Sequence, residues 1–222
     1  MLIIQTMKNI FLNTKLFSVL FLCFIALPSI AQQNKDSLLK QDVQFIFEEL
    51  KFMYDYDQAL RKYPMYKTFD THVIDSIEKL PQTEIEKFKQ ENKIQSDTLD
   101  WLIHTNYIQS FDKIHTQRLL EITKKYGFPT VKRMNAYLPE KIKGEFNPIV
   151  ILLHSPKIFW EEAITLITNE FKIGNLDRCS YGYIMWHLHG RKDMSYLLNN
   201  GYKITNENGI QGVKAVDCGE KK

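Results

Sequence analysis

Long amphipathic stretches with few helix-breaking residues restrict the fold of this chain more than any other feature. Only 9 glycines and 7 prolines occur among its 222 residues. Leu50 follows Ile46 by four residues, and Met53 and Tyr54 follow Leu50 by three and four, which places these side chains on one side of a helix. Similar spacing recurs along most of the chain after residue 36, and it predicts a mainly α fold built as a single multi-helix domain.

Capping and breaking residues set the predicted ends of the helices. Asp36 or Ser37 is expected to cap the first helix, and Pro64 lies just past its end. Gly127 and Gly174 stand where a helix ends in the left-handed conformation that glycine adopts most readily. The predicted helices cover residues 37–62, 71–80, 83–92, a segment opened by Ser96 or Asp97, residues 111–126, 147–155, a helix between Ser155-Pro156 and Gly174, and residues 177–189. Residues 129–144 are predicted to be a connection.

The C-terminal tail has a different pattern from the rest of the chain. Asn200-Gly201 lies between two short apolar runs, and this dipeptide is typical of a two-residue hairpin turn. Asn208-Gly209 is a second such dipeptide, which would begin a third strand toward Val216. The tail therefore predicts a small C-terminal β-hairpin element beside the helices.

The first 31 residues have the order of a secretory signal. Lys8 and Lys15 supply a basic start, an apolar run extends from Leu16 to Leu27, and Ser29-Ile30-Ala31 offers small residues for cleavage. The translation start is open between Met1 and Met7. Residues 1–31 are accordingly predicted to be a signal peptide, residues 32–222 the folded domain, and the protein to be exported to the periplasm or secreted.

Length and charge limit the alternatives. An uncleaved N-terminal anchor is the other interpretation of this segment, but the apolar run is shorter than the roughly twenty residues that a membrane-spanning helix needs. The remainder of the chain holds 27 basic and 26 acidic residues, without the basic clusters of a nucleic-acid-binding surface. We therefore expect neither nucleic-acid binding nor a membrane span after cleavage, and the sequence identifies no partner.

Two cysteines remain after the predicted cleavage. Cys179 and Cys218 can form an intrachain disulfide in an oxidising compartment, and the alternative is a pair of free thiols. Spacing alone does not decide between them, because the bond requires the two Cα atoms to lie close together.

The first predicted helix carries charged residues where its apolar face should continue. Asp57 and Arg61 extend the spacing that includes Leu50 and Tyr54, and a carboxylate and a guanidinium four residues apart can bond to each other. Gln58 lies beside them. Either the pair faces solvent at the end of the helix, or it is buried and requires further partners.

Two histidines also lie on apolar faces. His115 shares the face of Leu119, and Asp112 is close enough in sequence to orient or charge it. His154 closes the apolar helix over residues 147–155, and the adjacent Ser155 is interpreted as a helix cap. The alternative for both histidines is a hydrogen-bonded residue of the core.

Other motifs indicate little chemistry. His187 and His189 are two residues apart, and on a helix such side chains face nearly opposite directions, so a metal site there is not expected. The sequence has no phosphate-binding loop, dinucleotide fingerprint or zinc-helix motif. No cofactor or resident metal is predicted.

Four short motifs together carry a family resemblance. They are residues 57–61 (DQALR), 112–119 (DKIHTQRL), 122–129 (ITKKYGFP) and 151–155 (ILLHS). In this order they resemble the bacterial domain-of-unknown-function family 6624, over roughly residues 40–190. The resemblance implies an exported, mainly helical domain with no established activity and a shared site at Asp57, Arg61, His115 and His154.

These residues lead to two functional hypotheses. The first is an exported domain with a binding or structural role in the cell envelope, around a polar pocket of Asp57, Arg61, His115 and His154. The alternative is a hydrolase or lyase, in which His154 or His115 acts as general acid or base, Asp57 or Asp112 orients it, and Arg61 holds a developing anion. A metal-assisted variant of the enzyme would use Asp57 and the two histidines as ligands.

Overall fold

A computed structural model of the chain shows the mainly α architecture that the periodicity predicts. It describes residues 2–92, 97–207 and 210–219, with side chains for residues 32–91, 98–206 and 211–219. The helices are α1 (Leu2–Tyr66), α2 (Thr71–Glu78), α3 (Gln82–Asn92), α4 (Asp97–Leu102), α5 (Gln109–Tyr126), α6 (Val131–Asn135), α7 (Ile149–Leu153), α8 (Trp160–Lys172), α9 (Arg178–Leu188) and α10 (Ser195–Leu198). A π-helical turn, Ile103–Ile108, joins α4 to α5, and a 3₁₀ turn, Lys157–Phe159, precedes α8. The strands β1 (Tyr202–Glu207) and β2 (Ile210–Ala215) form an antiparallel pair.

Helix α1 is longer at both ends than predicted. It continues through Pro64 to Tyr66, because a proline in the last turn removes only one backbone hydrogen bond. Lys67, at φ 52°, ends the helix, and its amide donates to the carbonyl of Tyr63 over 2.7 Å. The predicted cap at Asp36 or Ser37 is wrong, since both residues lie inside the helix.

Other helix ends follow from their capping residues. Asp70 and Asp177 accept backbone N–H donors at the starts of α2 and α9, as expected for side chains that satisfy unpaired helix donors. Thr130 does the same for α6, a short helix inside the stretch that was predicted to be a connection. The predicted cap at Ser155 is wrong, because its hydroxyl donates to the carbonyl of Leu152 over 2.7 Å. The predicted cap at Ser96 lies outside the described residues.

The core forms where α1 packs against α5 and α7, and α8 against α9. The apolar face predicted for the first helix is buried here, and residues such as Leu50, Leu119, Leu152 and Ile184 are completely inaccessible to solvent. Each such side chain contributes about 1.5–3 kcal/mol through removal of apolar surface from water. This packing brings the ends of α1 and α7 to one side of α5.

A buried carboxylate of α8 joins Lys35 of α1 to the turn after α5. Glu170 is only 1% exposed; it accepts from the ammonium of Lys35 at 3.0 Å and from the amide of Phe128 at 2.8 Å. Gly127 has φ 74°, and a Cβ there would lie 3.0 Å from the Glu170 carboxylate and 2.7 Å from the Asn175 amide. The glycine of the predicted Tyr-Gly-Phe-Pro motif is therefore required by backbone conformation and by space.

The C-terminal hairpin exists, but its strands and its turn are not the ones predicted. Asn200-Gly201 does not form its turn, because the residues before it are helical (α10) and Gly201, at φ 88°, leads directly into β1. The strands pair from Tyr202 with Ala215 to Glu207 with Ile210. Asn208-Gly209, the dipeptide between these strands, lies outside the described residues.

Cys179 on α9 and Cys218 after β2 form a disulfide, with an S–S distance of 2.00 Å and Cα atoms 4.9 Å apart. The bond ties the C-terminal end of the chain to the helical core. Within the residues that the structure describes, no helix combines the length and apolar character needed to cross a membrane.

Candidate functional site

Asp57, near the C-terminal end of α1, lies at the centre of a polar cluster. Its carboxylate is 7% exposed. One oxygen, Oδ1, accepts from Nε of Arg61 at 2.8 Å, and the other, Oδ2, accepts from Nε2 of Gln58 at 2.8 Å. Nδ1 of His154 lies 3.0 Å from Oδ2 and 3.1 Å from Oδ1. We refer to Asp57, Arg61, Asp112 and His154 as the Asp57 cluster.

Arg61 links α1 to α5. Besides its bond to Asp57, its Nη2 donates to Oδ1 of Asp112. The four-residue spacing predicts the bond between Asp57 and Arg61, but Asp112 was expected to orient His115 and instead binds Arg61. The Arg61 side chain is 27% exposed, and its guanidinium keeps donors beyond the two used here.

His154 reaches Asp57 because α7 ends at Leu153, beside the end of α1. The histidine follows as the C-terminal cap residue of α7, and its side chain is 26% exposed. Asp57 holds its Nδ1, and within the described residues no partner contacts Nε2. The ring therefore has one nitrogen fixed by a carboxylate and one available at the partly exposed side.

His115 lies beside this cluster without a hydrogen bond to any other described residue. Its ring is buried among the rings of Tyr56, with centroids 6.2 Å apart, and Phe111, at 5.7 Å. Burial lowers the pKa of His115, and the charge of Asp57 offsets part of that effect. A neutral imidazole is the form that this apolar surrounding favours.

The two carboxylates of the cluster have different acidities. Burial by itself would raise the pKa of Asp57, but the hydrogen bond and charge of His154, together with Arg61, lower it below its ordinary value. Burial raises the pKa of Asp112, and the charge of Arg61 compensates only in part. One carboxylate is thus strongly held in its ionised form and its neighbour less so, a combination common at sites of proton transfer.

The arrangement does not suit a metal ion. Ligand atoms of Asp57, Asp112 and His154 lie within 4.8 Å of one another, which resembles a three-ligand site. However, the guanidinium of Arg61 bonds to both carboxylates, so a cation already occupies the position between them. A metal would have to displace Arg61, and His115 makes no bond to the other predicted ligands.

A second histidine site, missed by the sequence interpretation, adjoins His154. Nδ1 of His187 on α9 receives two donors from Arg191, Nε at 2.9 Å and Nη2 at 2.7 Å. The Trp160 ring lies edge-on to His187, with centroids 6.1 Å apart, whereas His189 stacks on Tyr196. Arg191 lies beyond the end of α9, after Gly190 and at φ 62°, so helical spacing in the sequence could not have predicted this contact.

The lowered pKa values of the buried His187 and His115 predict that acid destabilises the fold. Burial, with the charges of Arg191 and His154, lowers the pKa of His187 from 6.5 to about 4, so between these pH values only the unfolded chain takes up this proton. The free energy of unfolding should have its full value above pH 6.5 and decrease by about 2 to 3 kcal/mol as the pH is lowered to 4. The lowered pKa of His115 also makes the fold less stable as the pH falls. The raised pKa of Asp112 has the opposite effect. Asp57, whose pKa is lowered, loses its stabilising contribution only at still lower pH.

Urea unfolding at a series of pH values, monitored by circular dichroism, measures this dependence. In His187→Gln the decline between pH 6.5 and 4 should be shallower than in the original chain. The same change at the exposed His72 should leave the curve unaltered. Identical pH curves for all three proteins would contradict the assignment of the decline to His187.

Fold and site together define a mainly α, disulfide-bonded domain with a half-open cluster of two carboxylates, a guanidinium and an imidazole. Comparisons with protein-family models, with curated proteins and with solved structures find no match to this chain. The resemblance to the domain-of-unknown-function family 6624 therefore stays a prediction.

Proposed function

We propose that this chain is an exported cell-envelope protein that binds a polar ligand at the Asp57 cluster, with His154 as the principal contact. The observation that carries the proposal is the 3.0 Å contact between Asp57 and Nδ1 of a histidine that is 26% exposed. A carboxylate that fixes one ring nitrogen leaves the other with a defined direction toward a ligand.

Partial exposure favours binding over a purely structural role. A structural network would be expected to enclose all of its polar groups, because unpaired buried groups are costly. In this cluster the carboxylate of Asp57 is enclosed, but Arg61 and His154 are each about one quarter exposed. Both also keep hydrogen-bonding capacity that the described residues do not use.

Export is supported by two independent features. The N-terminal segment has the composition of a secretory signal, and the disulfide between Cys179 and Cys218 is of a kind that persists in oxidising compartments. We infer that the mature chain begins at Gln32 in the periplasm or outside the cell.

A hydrolase or lyase is the second candidate function, and the contact between His154 and Asp57 favours it as well. His154, oriented by Asp57, has the arrangement of a general acid or base, and Arg61 would stabilise negative charge that develops on the substrate. Binding and catalysis would use the same side chains, so a ligand that binds there is also the first candidate substrate.

Ligand screening by thermal shift tests the proposal on the protein purified from the exported fraction. We expect at least one polar envelope component to raise the melting temperature of the original chain. His154→Gln should remove most of this shift, whereas His72→Gln, at an exposed position on α2, should retain it. A ligand that stabilises the His154 variant as well as the original chain would place binding elsewhere.

A further inference from the structure

We propose that His187 is a second ligand-binding residue of this site, and that its Nε2–H donates to an anionic oxygen, of a carboxylate or a phosphate, on the ligand bound at His154. The inference rests on the proposed function and names the chemical class of its ligand. It gives a role to a histidine that the sequence pattern left without one.

Arg191 fixes the tautomer of His187. The guanidinium has donors and no acceptor and is always protonated. Because its Nε and Nη2 lie 2.9 and 2.7 Å from Nδ1 of His187, that nitrogen must accept and cannot carry a proton. A neutral imidazole has one N–H, so the proton of His187 is on Nε2.

The Nε2–H of His187 has no protein acceptor among the residues that the structure describes. The residue is only 9% exposed, and its Nε2 is not among the fully buried polar atoms that lack a partner. This nitrogen therefore keeps contact with solvent although most of the ring is enclosed. A donor that is held in one tautomer, nearly enclosed and still reachable from solvent has the properties of a ligand contact.

Trp160, the first residue of α8, connects the surroundings of His187 with those of His154. The indole N–H of Trp160 donates to the carbonyl of Ser155 over 2.9 Å, and Ser155 follows His154. The same indole lies edge-on to His187. The charge of His154 is also close enough to contribute to the lowered pKa of His187.

The surrounding charges favour an anion. Asp57 and Asp112 are both paired with Arg61, and Asp57 also with His154. The cations near His187 are less completely neutralised: Arg191 lies over the ring of Trp186 at 5.9 Å, and Lys157 over the ring of Trp160 at 5.7 Å. Glu162, a nearby carboxylate of α8, is paired with Lys124 at 2.5 Å. An oxyanion near His187 would thus meet two cations, Arg191 and Lys157, that form no ion pair with a carboxylate among the described residues.

Long-range ¹H–¹⁵N correlation of the histidine rings at pH 7 tests the tautomer in the original protein. We expect His187 to show a protonated Nε2 and an unprotonated Nδ1. Titration with inorganic phosphate, and separately with acetate, should then shift the Nε2 resonance; the stronger response identifies phosphate or carboxylate as the favoured group. A cationic or Nδ1–H ring, or no response to either anion, would overturn the inference.

Matched variants separate this inference from the proposed function. His187→Phe keeps a ring against Trp160 but removes the donor, and it should weaken the binding of the responding anion about tenfold or more. His187→Gln, whose amide can supply a comparable donor, should recover part of the affinity. His189→Phe, which keeps a ring against Tyr196, should stay within about twofold of the original chain.

The outcomes are distinguishable. If His154→Gln abolishes binding and His187→Phe does not, the inference about His187 fails and the proposed site stands. If neither change affects binding, the proposed function fails as well. Unchanged amide spectra outside the site show that each variant is folded.

Discussion

Replacement of Asp57 by alanine is expected to lower the free energy of unfolding by about 3 kcal/mol. The change removes the acceptor of three side chains, Arg61, His154 and Gln58. His154 and Gln58 are then partly buried without that acceptor. Arg61 retains Asp112, which keeps the loss below that of a completely isolated charge. Urea unfolding at pH 7, followed by circular dichroism, provides the measurement.

Two further variants show whether the effect belongs to the Asp57 cluster. Asp57→Asn keeps the size of the side chain and loses its charge, so about half of the destabilisation should remain. Asp55→Ala removes an exposed carboxylate that pairs with Lys51 four residues earlier on the same helix, and such surface pairs contribute about 0.5 kcal/mol or less. Equal effects at Asp57 and Asp55 would show that the buried cluster adds nothing to stability.

Removal of the disulfide is expected to cost up to about 4 kcal/mol. The bond between Cys179 and Cys218 spans 39 positions of the sequence, and its loss increases the freedom of the unfolded chain. The double change Cys179→Ala and Cys218→Ala should lower the unfolding midpoint in urea. Reductant should lower the midpoint of the original chain and leave that of the double variant unchanged.

A midpoint of the original chain that is insensitive to reductant would contradict this expectation. Thiol labelling under denaturing conditions provides the independent check. In a chain that begins at Gln32 it should detect no free thiol before reduction and two afterwards. A bridge present in the protein as isolated would fit the export proposed above, because disulfides persist mainly in oxidising compartments.

Local patterns in the sequence were sufficient to predict most helices and one bond of the site. The apolar period along residues 37–62 places Leu50 in the core, and the four-residue spacing places Arg61 against Asp57. Gly127 and Gly174 end helices with positive φ, as expected. These features depend only on residues that are neighbours along one helix.

The sequence patterns did not predict the contacts between different helices. The contact of His154 with Asp57 depends on how the short helix α7 packs against α1, and the bond of Asp112 to Arg61 depends on the position of α5. The contact of Arg191 with His187 depends on the left-handed turn that follows α9, which no helical spacing predicts. Gly201 could not be placed from the sequence either, because a positive φ suits both a hairpin turn and the entry to β1.

Chemical modification of His154 tests the central claim most directly. Diethyl pyrocarbonate acylates accessible, unprotonated imidazole nitrogens, and peptide mass spectrometry identifies the modified ring. In the purified protein we expect His154 to react through its free Nε2. The stabilising ligand from the thermal-shift screen should slow that reaction at least tenfold, while the exposed His72 reacts at an unchanged rate. A His154 that is inert without ligand, or that reacts equally fast with and without it, would contradict a ligand site at the Asp57 cluster.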